Sequence, residues 1–457
     1  MTIFLAACGD WIFAPLPFPT PAQHDLVVLT RSGPLTHQTD DAGNATGLEH
    51  DLTEAFAQEL GVGVKYLVVA PEDMPERLEG RDYHIAAAWL SPMADSEIRA
   101  TPPIFDTQDT LVQNDASLPL TELSQLSGKT VHVMAGSRQA ANLRRLQQQI
   151  PDLTVVEVGQ GDILDQLEQL GDGEIDYVAM DKSLEDIANQ FVPNLRMSLL
   201  LGEEQPIVWL LGRHPNAELA ARANAFIDRI QRDGTLARLE DRYFGHVRRL
   251  NQADVIKFLG QIETNLPKLR KFFQSAEAAT GIDWRLLASV AYHESHWDSS
   301  ATSPTGVRGI MMLTEETADR LKVSNRLDPA ESVLAGARYI NLLKDNLPAE
   351  VKEPDRTWLA LAAYNIGPGH FNAARNLAKQ LKADPDAWFE MKRILPLLAK
   401  RQYYERLKSG RARGGEAVIL VENIRSYYDI LARHEPQVQI AARMDGMTGG
   451  PGLKLKR

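Results

Sequence analysis

The heptapeptide AYHESHW, residues 291 to 297, places an acid between two histidines at the end of an apolar run. Glu294 could assist a metal ion, act as a general acid, or lie solvated at the end of an ordinary helix. A zinc-protease motif needs a second histidine four residues after the first, and that position is Trp297. His293 and His296 are only three residues apart, with no third ligand evident. The sequence therefore predicts no metal at this site.

The residues before this acid predict the helix that positions it. Asp283 is a good N-cap for the helix that follows. Leu287, Val290 and Ala291 then fall on one face, and the next position on that face is Glu294. A carboxyl group in an apolar slot loses hydration, which favours the neutral form that a general acid needs. On these residues alone, a wet helix end remains the alternative.

A second segment repeats this pattern. Trp358, Leu361 and Ala362 form an apolar face that continues to Asn365. Loop sequences follow both helices, DSSATSPTG after the first and GPG after the second. We therefore expect two helices that each end by directing a polar side chain inward.

Composition indicates a folded protein of two domains. The 457 residues are 44% hydrophobic and 24% charged, and no apolar run is long enough to span a bilayer. Residues 1 to 250 carry 19 basic and 37 acidic side chains, whereas the remainder carries 30 and 24. A basic second half suits an anionic polymer, although an ordinary solvated surface explains it equally well. No nucleic-acid motif accompanies it.

The two halves also differ in secondary-structure pattern. Between residues 25 and 245, β-rich runs such as DLVVLTR, KTVHVMAG and PIVWLLG alternate with helical segments, which is typical of a parallel sheet covered by helices. After residue 250 the sequence reads as helix only. We predict an α/β domain followed by a mainly helical domain.

The N-terminus contains the single cysteine, Cys8, within LAACGD. This stretch resembles the lipobox of bacterial lipoproteins, yet only seven residues precede the cysteine and none of them is basic. The residues are therefore compatible with an exported, lipid-anchored protein whose start lies upstream, or with a chance match. WIFAPLPFPTP reads as an extended tether, and the tail GMTGGPGLKLKR is expected to be disordered.

Four motifs in the second half resemble, in order and spacing, those of the Slt family of lytic transglycosylases, which have a lysozyme-like fold. They are HES, GIMML, AYN and the helix VENIRSYYDIL, within residues 265 to 435. The resemblance implies that Glu294 is the catalytic acid and base, with Ser295 its neighbour. It also implies that Tyr364 and Asn365 line the sugar groove and that Tyr427 places a hydroxyl near the acid.

One position departs from the Slt pattern. The family motif G-L-M-Q has glutamine where this chain has Met312. An amide that could bind an N-acetyl group is thereby lost, so the substrate contacts of this loop are open. With the α/β half in front, the whole chain resembles the membrane-bound lytic murein transglycosylase F subfamily.

The resemblance implies a reaction that needs one carboxylate. Most glycosidases use two, and Asp298, the nearby candidate, lies in a sequence that predicts a turn. In murein the C6 hydroxyl of MurNAc can attack its own anomeric carbon, giving a 1,6-anhydromuramoyl product without metal or cofactor. The alternatives are a hydrolysing muramidase of goose-type lysozyme character and a non-enzymatic receptor for a muropeptide or amino acid.

The first half resembles the family 3 solute-binding proteins through WLSPMADSEIRATPPIF, VMAGSRQAANL, GEIDYVAMDKS and DGTLARLEDRYFG. The resemblance implies two lobes that close on an amino acid or muropeptide. Arg99 would bind the α-carboxylate of the ligand in a bidentate manner, Ser137 would also bind it, and Asp181 would hold the α-amino group. We expect this half to regulate or target the enzyme.

These interpretations give a domain order. We expect a leader and tether over residues 1–24, a solute-binding-like domain over 25–248, a transglycosylase domain over 249–440 and a flexible tail over 441–457. The expected partner is peptidoglycan at the periplasmic face of the outer membrane, reached through a lipid anchor or by peripheral association.

Overall fold

The structure is a computed structural model that describes residues 16–20, 24–39, 44–93, 97–213, 215–304 and 306–436. Cys8, most of the predicted tether and the predicted flexible tail lie outside these ranges. Within them, no helix has both the length and the apolar character that crossing a membrane requires.

The first half of the chain contains the β-strands. They are β1 (Leu26–Thr30), β2 (Gln38–Thr39), β3 (Ala45–Thr46), β4 (Val64–Val68), β5 (Ile85–Leu90), β6 (Phe105–Asn114), β7 (Thr130–Met134), β8 (Thr154–Val158), β9 (Tyr177–Asp181) and β10 (Leu195–Leu210). The short strands β2 and β3 pair only with each other.

The remaining strands form one mixed sheet in the order β4-β1-β5-β10-β6-β9-β7-β8. Strand β1 runs parallel to β4 and β5, and β7 runs parallel to β8 and β9. Between these parallel groups lie β6 and β10, which pair antiparallel with each other and with their outer neighbours. The architecture is therefore two-lobed, as expected, but the sheet is mixed where the sequence predicted a parallel one.

Helices cover both groups of strands. They are α1 (Leu48–Leu60), α2 (Met74–Leu78), α3 (Arg138–Gln147), α4 (Ile163–Gly171), α5 (Glu185–Phe191), α6 (Ala217–Arg232) and α7 (Thr235–Phe244). In the lobe that contains β1, the buried ring of Trp209 lies 5.8 Å from that of Phe56 and 5.7 Å from that of Phe226, measured between centroids. This aromatic contact fixes α1 and α6 on one sheet face.

In the described residues of the second half, the regular secondary structure is helical, apart from isolated β-bridges that join Thr302, Arg308 and Leu313. Its helices are α8 (Gln252–Thr264), α9 (Leu266–Thr280), α10 (Trp284–Ser295), α11 (Glu315–Arg320), α12 (Pro329–Asp345), α13 (Asp355–Ile366), α14 (Pro368–Gln380), α15 (Trp388–Ile394), α16 (Arg401–Tyr404) and α17 (Gly414–His434). One hydrophobic core extends across this half. Helix α17 packs against both α10 and α13 and so holds the two motif-bearing helices together.

Helix α10 has the form that the sequence predicts. Asp283 caps it by accepting a hydrogen bond from the backbone N–H of Arg285 at 2.8 Å. Leu287, Val290 and Ala291 are fully buried. The helix ends at Ser295, because the next residue adopts a left-handed conformation with φ 53°.

The two halves contact each other through α17. The guanidinium of Arg425 donates hydrogen bonds to the backbone carbonyls of Asp241 and Arg242, at 3.2 and 2.6 Å, near the end of α7. The hydroxyl of Ser426 donates to the backbone carbonyl of His246 at 2.9 Å. Ser426 is fully buried and Arg425 almost so, which shows that water is excluded from this part of the interface.

Candidate active site

Glu294 occupies the last turn of α10 and is half-buried. Burial raises the pKa of its carboxyl group to about 7. A carboxylic acid with that pKa is partly protonated at neutral pH, whereas an exposed glutamate is almost fully ionised. The group can therefore donate a proton and then accept one, which is the requirement for a single acid and base.

The preceding residue, His293, is not a cationic neighbour of this acid. Burial, assisted by the proximity of His296, lowers the pKa of His293 to about 4. The imidazole is therefore neutral near pH 7 and does not favour the ionised form of Glu294. Across the described part of the chain, no three His, Cys, Asp or Glu side chains cluster in a way that could hold a metal ion.

Loop 306–313 is held at both of its ends by Arg326. One guanidinium nitrogen donates to the backbone carbonyls of Gly306 and Leu313, each at 3.0 Å. Gly309 has φ 82°, and a Cβ atom there would lie 1.8 Å from the backbone oxygen of Arg326. Only glycine fits this close approach.

The middle of the same loop is fixed by three side chains. The hydroxyl of Ser295 donates to the carbonyl of Ile310 at 2.9 Å, and that of Tyr364 donates to the carbonyl of Met311 at 2.6 Å. The backbone N–H of Met311 donates to the hydroxyl of Ser332 at 3.3 Å. Ser295 is buried and also bonds within α10, so it positions the loop.

Met312 follows these anchors with a φ of 46°, an uncommon conformation for a residue with a Cβ atom. Its side chain is half-buried. Because the backbone is tied at Ile310, Met311 and Leu313, the loop has little freedom to relieve this strain.

Tyr364 is the tyrosine whose hydroxyl lies near the acid. Burial first, and then the electrostatic effect of Glu294, raise the pKa of its phenol well above the ordinary value. The neighbouring Asn365 is exposed at the last turn of α13. The expectation that Asn365 points inward was therefore wrong: in the last turn of α13, Ala363 is buried and Tyr364 and Ile366 pack against the core, whereas Asn365 is exposed.

Tyr427 packs on the side of α10 that carries Tyr292. Its buried ring packs against Phe258 and Tyr292, with centroids 4.6 and 4.9 Å away. Tyr292 and Glu294 are two residues apart on a helix and therefore point to different sides of α10. A contact between the Tyr427 hydroxyl and the acid, which the sequence resemblance implied, is not supported by this geometry.

Asp298 forms a turn, as the sequence predicted. It is exposed, and one carboxylate oxygen accepts hydrogen bonds from the backbone N–H and the hydroxyl of Ser300 at 2.8 and 2.6 Å. These bonds lower the pKa of Asp298. Asp298 therefore remains ionised, and its carboxylate stabilises the turn.

Sequence reasoning missed Arg326 and Ser332. Arg326 acts on loop 306–313 from the segment before α12, and Ser332 acts on it from the first turn of that helix. No local spacing links them to the loop, because their contacts span 13 to 21 residues of chain.

A cavity between the two lobes of the first half contains two of the three predicted ligand residues. Ser137 and Asp181 line it, together with Arg31 and Trp89. Arg99 is not among its lining residues. The Arg99 side chain is exposed, and its backbone pairs with Gly212 and Leu211.

Asp181 is already saturated with hydrogen bonds. One carboxylate oxygen accepts from the hydroxyl of Thr107 and the backbone N–H of Ser183, and the other accepts from the indole of Trp89 and the guanidinium of Arg138. A carboxylate offers about four such sites. In this arrangement Asp181 fixes Trp89 and Arg138, and no site remains for an ammonium group.

Two family models match this chain. The model described as Transglycosylase SLT domain matches residues 271–386. The model described as Bacterial extracellular solute-binding proteins, family 3, matches residues 26–246.

Two relatives that align with most of the chain carry the same name. A protein of Methylobacillus flagellatus called membrane-bound lytic murein transglycosylase F is 43% identical over 96% of this chain and 93% of its own length. A protein of Nitrosospira multiformis with that name is 43% identical over 94% of this chain and 90% of its own.

Among solved structures, an ancestral arginine-binding protein bound to arginine covers 48% of this chain and 98% of its own. Its identity is 20% and its TM-score 0.44. The identities and coverage of the named relatives, together with both domain matches, show that this chain belongs to the membrane-bound lytic murein transglycosylase F family and is a peptidoglycan lytic transglycosylase with an N-terminal solute-binding-like domain.

Proposed function

We propose that Glu294 is the single acid and base of a reaction that cleaves the MurNAc-GlcNAc bond of peptidoglycan and leaves a 1,6-anhydromuramoyl end. The observation that carries this proposal is a half-buried carboxyl group whose pKa is raised to about 7 by burial. Asp298, the nearby alternative, is exposed and bonded into a turn. The site therefore supports a mechanism with one carboxylate.

The proposed reaction has two steps. Glu294 first donates its proton to the bridging oxygen, the bond from that oxygen to C1 of MurNAc breaks, and GlcNAc leaves with a new hydroxyl. The oxocarbenium-like C1 is stabilised by the N-acetyl oxygen of the same sugar. The C6 hydroxyl then bonds to C1 and gives its proton to the Glu294 carboxylate, which restores the acid. Holding the C6 hydroxyl in place replaces the capture of a water molecule.

The surrounding residues have supporting roles in this proposal. Tyr364 and Ser295 would hold loop 306–313 against the groove, and Met312 would contact the sugar from that loop. Exposed Asn365 would bind the glycan at the groove surface. Tyr427 would support α10 from behind through its contact with Tyr292.

The test is digestion of purified sacculi with wild-type protein and with Glu294→Gln, followed by measurement of the soluble fragments. We expect at least an ~100-fold loss of rate, the usual contribution of a positioned acid and base. Asp298→Asn is the matched control and should retain most activity. Full activity of Glu294→Gln would contradict the assignment, and inactive wild-type protein would favour the receptor alternative.

We further propose that the first half binds an amino acid or muropeptide and that this binding regulates the second half. Arg433 of α17 supports a route by which ligand binding in the first half would affect the second half. Its guanidinium bonds to Asp165 at 2.9 Å and Glu168 at 2.5 Å on α4, and it lies 3.4 Å from Asp162. Asp162 lines the interlobe cavity. A change at the cavity could thus reach the helix that packs on α10.

For the cell, we propose a periplasmic enzyme on the outer membrane, held by a lipid on Cys8 or by peripheral association. We also propose domain limits of 25–248 and 249–440, which follow the change from β-containing to helical structure and the interval between α7 and α8. Fractionation of cells that express wild-type protein or Cys8→Ala tests the anchor. Release of only the variant from the membrane fraction is the expected result.

A further inference from the structure

Arg31 lies directly after β1 and lines the interlobe cavity with a half-buried side chain. Arg138, which binds the cavity-lining Asp181 from behind the lining, is paired with Asp109 at 2.7 Å and with Asp181 at 2.9 Å. Arg31 has no such ion pair within 4 Å among the described residues. Glu49 and Asp181 act on it only from a longer distance.

A half-buried cation that lacks a contacting anion lowers stability. Burial lowers the pKa of Arg31, yet a guanidinium does not lose its proton in proteins. The charge therefore persists inside the cavity. A ligand that brings an anion to Arg31 would compensate this cost.

Ser137, across the cavity from Arg31, is a second group that favours an anion. Its oxygen caps α3 by accepting from the backbone N–H of Ala140 at 3.1 Å, so its own proton remains available. Ser137 also stands at the N-terminus of a ten-residue helix, where the helix dipole favours a negative group. Ser137 and Arg31 thus both favour an anion.

We propose that Arg31 and Ser137 together bind the carboxylate of the ligand of the first half, and that Arg99 does not contact it. This inference rests on the proposal that this half binds an amino acid or muropeptide. Arg31 follows β1 in one lobe and Ser137 precedes α3 in the other. One carboxylate would therefore join the two lobes.

The experiment uses the full chain and titration calorimetry with glycine, L-alanine, L-leucine and L-arginine. Wild-type protein and Arg99→Gln should bind the same amino acids with similar Kd. Arg31→Gln should raise Kd at least ~30-fold, because charge-assisted hydrogen bonds to the carboxylate are lost. Arg31→Lys should recover part of the affinity. L-leucinol, which lacks the carboxylate, should bind weakly to wild-type and variant proteins alike.

A melting curve measured without ligand shows whether each variant is folded. Removing an uncompensated charge should leave the Tm of Arg31→Gln equal to or above that of the wild type, whereas Arg138→Gln, which breaks two ion pairs, should lower it. If Arg99→Gln abolishes binding and Arg31→Gln does not, the inference fails while the ligand-binding proposal stands. If wild-type protein binds none of the four amino acids and no purified soluble muropeptide in the same titration, both fail, and the murein-cleaving proposal is judged separately on sacculi.

Discussion

The hydroxyl of Tyr364 donates a 2.6 Å hydrogen bond to the backbone carbonyl of Met311. This bond joins the end of α13 to the loop that contains Met312. The same phenol lies close enough to Glu294 for the carboxyl group to contribute to its raised pKa. One side chain therefore sets the position of the loop and part of the environment of the acid.

Tyr364→Phe removes this bond and keeps the ring. We expect about 1–2 kcal/mol of lost stability, because the Met311 carbonyl loses its partner, and roughly a tenfold fall in kcat on sacculi. Thermal melting and initial rates measure the two effects. Tyr404→Phe, on the remote helix α16, is the control, and equal rates for the two variants would contradict the role of Tyr364.

The rate should depend on pH through Glu294. The acid must be protonated to begin the reaction, and burial raises its pKa to about 7. We therefore expect kcat/KM to fall as pH rises through about 7, with a basic limb that reports this group. The profile is measured with soluble glycan strands between pH 4.5 and 9. A rate unchanged up to pH 9 would show that another group donates the proton.

The same shift predicts how stability varies with pH. The folded protein binds the Glu294 proton up to about pH 7, whereas the unfolded chain releases it near the ordinary value of 4.5. Stability from this group is therefore lost as pH rises across that interval. At pH 8, Glu294→Gln should unfold at a higher denaturant concentration than wild type, and its free energy of unfolding should be larger by up to about 3 kcal/mol. The difference should be smaller at pH 5. The exposed substitution Glu350→Gln should show no such trend.

Ser295→Ala tests whether the hydroxyl positions the loop. The buried carbonyl of Ile310 would lose its donor, so we expect about 1–3 kcal/mol of destabilisation and a lower kcat with a smaller change in KM. Ser275→Ala is a matched control, because the Ser275 hydroxyl bonds only to the carbonyl four residues earlier in its helix. If both variants behave alike, the bond from Ser295 to Ile310 has no role in activity.

Arg433→Gln tests the proposed route between the halves. Removing its bonds to α4 should leave the rate without added ligand unchanged and reduce the effect of a bound amino acid on that rate, because coupling needs a contact that differs between states. Activity with and without ligand is the measurement. Arg401→Gln, which breaks a surface pair with Glu405 only, serves as control. If the ligand changes the rate of Arg433→Gln as much as that of wild type, Arg433 does not carry the coupling between the halves.

Helix α10 was predictable because its cap and its apolar period are local properties of the sequence. Asp283, Leu287 and Glu294 occupy the positions that helical spacing assigns to them. Loop 306–313 was not predictable in the same way, since Arg326 and Ser332 reach it from a separate segment. Asn365 satisfied the helical period yet lies exposed, because a period does not tell where the protein surface cuts across a helix.

In the first half, the runs rich in valine, leucine and alanine predicted strands correctly, whereas β6 was missed. Its sequence, FDTQDTLVQN, has five consecutive polar residues from Asp106 to Thr110, so it lacks the apolar run by which the other strands were recognised. Motif similarity pointed to Arg99, but its backbone pairs with Gly212 and its side chain is exposed. The cavity has Arg31 instead, from a part of the chain that the motif does not include.

The central claim is that the polymer itself supplies the attacking oxygen. Digestion of sacculi in H2 18O, followed by mass spectrometry of the released fragments, tests it directly. We predict MurNAc ends that are lighter than reducing ends by one water and contain no 18O, and we predict their loss in Glu294→Gln. Reducing MurNAc ends that carry 18O would show hydrolysis and would contradict the account.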